Sequence, residues 1–248
     1  MNNLPRQPVA PETLVVVDSG VIAHRFPTSL RHERCMLPEA GNVHLWHASL
    51  DEIDPDSTNL SMEECARAAR FRFDRHKRRY VASRIFLRLV LSAYSGLPAV
   101  SLPLGVARDG KPTCDGLAFN LSHSDDCAVI AIAPDGRVGV DVEAVRPIAE
   151  IEGIAASFPA EGAKLTTIPA ARRLDAFFAC WTAKEAFLKA VGTGLLEDLS
   201  SFEVSVDPDA PAQLMSAASR YGPVGIWRMR RFRIGARHLG TIAQELSS

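Results

Sequence analysis

The sequence VGVDVE at residues 138–143 decides the fold. Every second residue is valine, and this period of two predicts a β-strand with the valines on one face and the carboxylates of Asp141 and Glu143 on the other. A turn sequence, Pro-Asp-Gly at 134–136, comes directly before it. The continuous apolar run at 128–133 predicts a preceding strand that is buried on both faces.

Helices are predicted on both sides of these strands. Ser61 and Glu64 have the spacing of a capping box, which opens a helix. Helical apolar spacing covers residues 79–94 and again 172–191, and a glycine follows the end of each segment. Further strands are predicted at 43–46, 202–206 and 226–234.

The chain is predicted to hold two similar α+β halves joined near residue 137, with a site where they meet. The ends of the two long helices are weakly alike in sequence, which favours this division. Residues 1–40 are rich in proline and predict an irregular lead-in. The predicted domains are therefore the lead-in, an N-terminal half at 41–137 and a C-terminal half at 138–248.

Composition excludes several classes of protein. The 248 residues carry 28 Lys and Arg against 29 Asp and Glu, so the net charge of -1 gives no overall attraction to nucleic acid or anionic membrane. Five cysteines, none closer than 13 residues to the next, indicate neither a disulfide framework nor a CxxC metal site. No apolar run is long enough for a signal peptide or a membrane span, and a cytoplasmic location is expected.

Three carboxylates are candidate metal ligands. Asp141 and Glu143 leave the same face of a strand, and Mg²⁺ prefers such oxygen ligands. Glu185 falls on the apolar stripe of the second long helix, where a carboxylate needs a partner or a metal. Alternatively, Asp141 and Glu143 lie on the solvated face of an edge strand. Glu185 could instead form an ion pair with Lys189 on the helix surface. Lys184 adds a second cation suited to phosphate.

Residues 67–88 form the most basic segment of the chain. They contain nine Lys and Arg against Asp74 alone, so nine minus one gives a local charge of +8. Such density is typical of a polyanion site, although a solvated helix face and an RNA-binding surface are alternatives.

Four motifs in order resemble the signature series of the 4'-phosphopantetheinyl transferases of the surfactin-synthetase-activating (Sfp) type. The motifs are GKP at 110–112, FNLSHS at 119–124, GVDVE at 139–143 and WTAKEAFLK at 181–189, followed by glycines at 192 and 194. The resemblance runs from about residue 43 to residue 243. It implies a pseudo-dimer of two α/β halves with coenzyme A in the cleft between them.

The resemblance also implies an activity and its residues. A working monomer would transfer the phosphopantetheine arm from coenzyme A to a serine of an acyl or peptidyl carrier protein with an acidic helix surface, and would release adenosine 3',5'-bisphosphate. The implied metal ligands for Mg²⁺ are Asp141, Glu143 and Glu185. The implied pyrophosphate contacts are Lys184 and Lys189. The implied contacts to the adenosine and its 3'-phosphate are Arg79, Lys111, Ser122, His123 and Arg67.

Glu161 is the expected general base for the acceptor serine, in a segment one residue shorter than the family pattern. Metal-bound hydroxide is the alternative base. An enzyme that hydrolyses coenzyme A or a nucleotide pyrophosphate with Mg²⁺ is the alternative function. The sequence does not indicate which carrier protein is modified.

Overall fold

A computed structural model describes residues 14–16, 19–26, 34–193 and 198–246 of the chain. These residues form a mixed α/β structure. Its strands are β1 (Leu14–Val16), β2 (Val21–Arg25), β3 (Val43–Ser49), β4 (Gly105–Val106), β5 (Pro112–Thr113), β6 (Ala118–Ser124), β7 (Cys127–Ala133), β8 (Val138–Ala144), β9 (Phe202–Val204), β10 (Leu214–Ala217), β11 (Trp227–Ile234) and β12 (His238–Glu245). Its helices are α1 (Met62–Ala69), α2 (Asp74–Ser95), α3 (Ile151–Ala155), α4 (Pro159–Thr167) and α5 (Ala170–Val191).

Two four-stranded sheets organise the chain. One has the strand order β2-β3-β7-β6, and the other has the order β1-β11-β12-β8. The pairings within them are antiparallel except for the parallel pair β2–β3. The strands β6 and β8 therefore each lie at an edge of their sheet.

The predicted central elements are confirmed. All seven residues of β7 are buried, as the apolar run predicted. On β8 the side chains of Val138, Val140 and Val142 are buried on one face. Both long helices end at a glycine with positive φ, 74° at Gly96 and 75° at Gly192, which is the backbone conformation that glycine adopts without strain. Gly194 lies outside the described residues.

The lead-in, predicted to be extended and partly irregular, contains two short strands that the sequence analysis did not identify. Strand β1 pairs with β11, and β2 pairs with β3, so the lead-in contributes to both sheets. The buried Arg230 of β11 reinforces this connection by donating to the carbonyl oxygens of Ser19, at 3.1 Å, and Gly41. Edge strands this short carry too few residues for a clear period, which is why the sequence pattern missed them. The domain boundaries stay a prediction.

The core has three parts. Helix α2 packs on one face of the N-terminal sheet, and α5 packs in the C-terminal half. Apolar side chains from both sheets, including Leu45, Val129, Val140 and Ile242, form a third cluster that joins the two halves. Burial of this apolar surface holds β6 and β8 close to each other. None of the helices in the described residues is both long and apolar enough to cross a membrane.

Candidate active site

Gly139 brings helix α5 against strand β8. A Cβ atom at this position would lie 2.0 Å from the carbonyl oxygen of Ala186, so only glycine permits the approach. One turn further along α5, Lys189 Nζ lies 2.6 Å from Asp141 Oδ1. The close contact of helix and strand therefore places the charged groups of α5 beside the carboxylates of β8.

Strand β6 supplies polar side chains to the same place from the N-terminal half. The Ser122 hydroxyl donates to Asp141 Oδ1 at 2.9 Å and accepts from Lys189 Nζ at 3.0 Å. The Ser124 hydroxyl donates to Glu143 Oε2 at 2.6 Å. The site is thus assembled from both halves of the chain.

Three carboxylates share this site with one close lysine. Burial, and then the negative charge of Asp141 with a smaller contribution from Glu143, raise the pKa of Glu185 to about 7 against the opposing charge of Lys189. Burial also raises the pKa of Glu143, with a smaller contribution from Asp141. The pocket therefore carries more negative charge than its own lysine neutralises, and a further cation would relieve it.

Two carboxylate oxygens in the site are buried without a hydrogen-bond partner, Asp141 Oδ2 and Glu185 Oε1. Such atoms carry a full desolvation cost unless a cation or donor meets them. Within the described ranges, no group of three or more His, Cys, Asp or Glu side chains has the arrangement that holds a metal ion.

The predicted nucleotide end of the site adjoins these carboxylates. His123 follows Ser122 on β6, and its pKa is lowered by desolvation of the ring and then by the positive charge of Lys189, with Arg79 a smaller cause. The Arg79 guanidinium also pairs with Asp51 at 3.3 Å. The structure therefore brings Arg79, Ser122, His123 and Lys189 to one region.

Two arginines of the basic segment at 67–88 are already paired within the protein. Arg84 and Arg88 both pair with Glu64, at 2.5 and 2.6 Å, and Arg88 is buried. These two arginines stabilise the packing of α1 on α2 and are not available to a ligand. Arg67 is exposed, with its guanidinium over the ring of Tyr80 at 5.4 Å.

Lys111 lies between the two halves, and two of its three ammonium N–H groups donate to backbone carbonyls. Its ammonium donates to the carbonyl oxygens of Val138 at 2.7 Å and Lys189 at 3.2 Å. Burial lowers its pKa to about 8, Lys189 contributes to the lowering, and Asp109 opposes it. In this structure Lys111 ties the start of β8 to the last turn of α5, with one N–H donor left for a ligand.

Lys184 and Glu161 pair with each other inside the C-terminal half. They form an ion pair of 2.7 Å with 0% and 1% of their side chains exposed. Lys184 also donates to the carbonyl oxygens of Leu199 and Phe202, each at 2.8 Å, and Glu161 accepts from the Val204 amide at 2.9 Å. All three ammonium donors are thus used inside the protein. The predicted roles of both residues remain predictions.

The sequence reasoning missed two residues of β6. Asn120 and Ser124 lay inside a quoted motif, yet neither was assigned a role. Both bind β8: Asn120 Oδ1 accepts from the Val140 amide at 2.8 Å, and Ser124 Oγ accepts from the Ala144 amide at 3.1 Å. The available signal was their period-two spacing with Ser122, which places all three side chains on one face.

Comparisons with known proteins identify the family of the chain. The family model described as "4'-phosphopantetheinyl transferase superfamily" matches residues 137–233, and the model described as "4'-phosphopantetheinyl transferase, N-terminal" matches residues 44–135. The 4'-phosphopantetheinyl transferase HetI of Nostoc sp. is 37% identical over 71% of this chain and 78% of its own length. The 4'-phosphopantetheinyl transferase psf-1 of Bacillus pumilus is 35% identical, over 62% and 67%. The 4'-phosphopantetheinyl transferase of Bacillus subtilis is 30% identical, over 65% and 73%. The chain belongs to the 4'-phosphopantetheinyl transferase superfamily.

Proposed function

We propose that this enzyme transfers the 4'-phosphopantetheine arm of coenzyme A to a serine of an apo acyl or peptidyl carrier protein, with Mg²⁺ bound. The observation that carries the proposal is the meeting of three carboxylates with Lys189, Ser122 and His123 at the boundary of the two halves. Carboxylates suit a divalent cation, and the lysine, hydroxyl and imidazole suit phosphate.

The donor atoms of three residues suit a magnesium ion, although their arrangement in this structure, with Lys189 on Asp141, is not that of a metal site. Asp141, Glu143 and Glu185 offer only oxygen atoms, two of which are buried and unpartnered. Burial, and then repulsion between the carboxylates, raise the pKa of Glu143 and Glu185, and a divalent cation would relieve both effects. When bound, Mg²⁺ would neutralise charge on the pyrophosphate of coenzyme A.

The chain's own residues bind and orient the donor substrate. Arg79, Ser122 and His123 are proposed to hold the adenosine end and its 3'-phosphate, with Lys111 supplying its one uncommitted N–H and Arg67 a further positive charge. Lys189 is proposed to bind the pyrophosphate and to stabilise negative charge on the leaving phosphate. Phosphoryl transfer needs chiefly such alignment and neutralisation of charge, and adenosine 3',5'-bisphosphate is the proposed product.

The proton of the acceptor serine needs an acceptor of its own. For Glu161 to act as this base, its carboxylate must first leave Lys184. The arrangement in the structure favours a positioning role instead, in which the pair holds residues 199–204 against α4 and α5. We therefore propose that Lys184 and Glu161 shape the C-terminal half and do not touch the reacting atoms.

The two halves in one chain support further proposals. Each half contributes a long helix and three strands of a four-stranded sheet, and the lead-in adds the fourth strand to each sheet, which fits a pseudo-dimer that works as a monomer. The acceptor is proposed to present an acidic helix surface, as carrier proteins of this chemistry do. The cytoplasmic location stays a prediction.

One incubation tests the proposed function. The purified protein is mixed with Mg²⁺, coenzyme A and an apo carrier protein, and intact masses are recorded over time. We expect the carrier to gain one phosphopantetheine group, and a carrier with its acceptor serine replaced by alanine to gain none. Cleavage of coenzyme A at an equal rate without any carrier would support the pyrophosphate hydrolase instead.

A further inference from the structure

Strands β6 and β8 face each other at the boundary between the two sheets. Each is the last strand of its own sheet in the described part of the chain. An edge strand presents backbone N–H groups that need acceptors. On β8, the N–H groups of Val140 and Ala144 are bound by side chains of β6, at 2.8 and 3.1 Å. Side chains thus substitute for a neighbouring strand along this edge.

Three alternate residues of β6 make these contacts in register. Asn120 binds the Val140 amide, Ser122 binds the Asp141 carboxylate, and Ser124 binds both Glu143 and the Ala144 amide. Asn120 and Ser122 are buried, at 3% and 6% exposed, so water competes weakly for their bonds. The alternation of β6 therefore matches the positions of the two carboxylates on β8.

The Ser124 hydroxyl is the one of the three that joins a carboxylate to the backbone of β8. It accepts a hydrogen bond from the backbone of β8 and donates its own proton to Glu143 Oε2 at 2.6 Å. Because the backbone bond fixes the serine oxygen, the donated bond fixes the carboxylate. Groups that orient metal ligands in this way commonly change metal affinity by 10- to 100-fold when removed.

We propose that Ser124 is a positioning residue, which holds the Glu143 carboxylate in the orientation that binds the divalent cation. This inference rests on the proposed function, because it concerns the metal site of that reaction. A purely structural role at the edge of β8 would instead change stability and leave metal affinity intact.

Calorimetric titration of Mg²⁺ into the full chain saturated with coenzyme A separates these roles without measuring turnover. We expect Ser124→Ala to weaken Mg²⁺ binding about 10- to 100-fold. Ser124→Thr keeps the hydroxyl and should restore most of the affinity. Ser124→Cys keeps the volume with a weaker donor and should give an intermediate value, which preserves the test if the alanine variant folds poorly.

Ser205 provides a matched control in the C-terminal half. Its hydroxyl also donates once and accepts once, to the carbonyl of Pro211 at 3.4 Å and from the amide of Gln213 at 3.0 Å. Ser205→Ala should bind Mg²⁺ as the unaltered protein does. Unchanged Mg²⁺ affinity in Ser124→Ala, or an equal loss of affinity in Ser205→Ala, would overturn the role of Ser124 and leave the proposed function standing. If the unaltered protein bound no Mg²⁺, the proposed metal site would fall with it.

Discussion

Replacing Glu161 by leucine should destabilise the fold strongly, and replacing Lys184 by methionine as well should restore part of the loss, because the charge is removed while the Val204 amide and the Leu199 and Phe202 carbonyls still lack their side-chain partners. Glu161→Leu leaves the Lys184 ammonium with 0% exposure, two carbonyl acceptors at 2.8 Å and the ring of Phe202 at 4.3 Å, but no counter-charge. Breaking a buried ion pair from one side costs about 3 to 5 kcal/mol, whereas replacing both partners by apolar groups is often nearly neutral. An exposed pair is worth less than about 1 kcal/mol, so Lys164→Met, which breaks the surface pair of Lys164 with Glu203, is the control.

Urea denaturation of the two single variants, the double variant and the control measures these differences, and transfer assays on the same proteins measure turnover. We expect the double variant to recover stability and transfer rate in parallel and in part, because a positioning pair affects turnover only through the fold that it holds. Recovery of stability with turnover still lowered by about 10² to 10⁴ would refute the positioning role and identify Glu161 as the general base.

Further predictions concern the site and the fold. Asp141→Ala should lower turnover about a thousandfold or more at saturating Mg²⁺, measured by carrier mass. The variant loses several kcal/mol of metal-dependent stabilisation of the transition state, and each loss of about 1.4 kcal/mol slows the reaction tenfold. His123→Ala should raise the KM for coenzyme A, and the penalty should shrink with dephospho-coenzyme A, which lacks the 3'-phosphate. Gly139→Ala should lower the melting temperature and turnover together, since its Cβ meets the backbone of α5 at 2.0 Å, whereas Gly153→Ala has open space and should not. Burial, and then the positive charge of Arg25, lower the pKa of His47 to about 4, below the value of 6.5 in the unfolded chain. The free energy of unfolding should therefore decrease as the pH falls from 6.5 to 4, and His47→Asn should flatten this slope in pH-dependent denaturation.

The parts of the fold that repeat a short pattern were predictable. The valines of β8, the apolar run of β7 and the glycines that end α2 and α5 are local signals, and the structure has each where the sequence predicted it. Strands β1 and β2 were not predictable, because their partners are remote in sequence and their length gives almost no period. Pairing across such distances is set by tertiary context rather than local preference.

The candidate site likewise has a part that the sequence could predict and a part that it could not. The identity of the carboxylates follows from their placement on a strand face and a helix stripe, which are periodic features. The partners of the cations do not, because Glu64 binds two arginines from another helix and Glu161 binds Lys184 across 23 residues. A count of charges shows how many cations a segment has, and only the folded structure shows which are already paired.

The most direct test of the account is the position of the cation. Crystals grown with Mn²⁺ in place of Mg²⁺, together with coenzyme A, would reveal the metal by its anomalous scattering. The account predicts one strong peak among the carboxylates of Asp141, Glu143 and Glu185, with Lys189 bound to the pyrophosphate. A peak elsewhere, or no peak at the carboxylates while Lys189 stays on Asp141 and coenzyme A is bound, would contradict it.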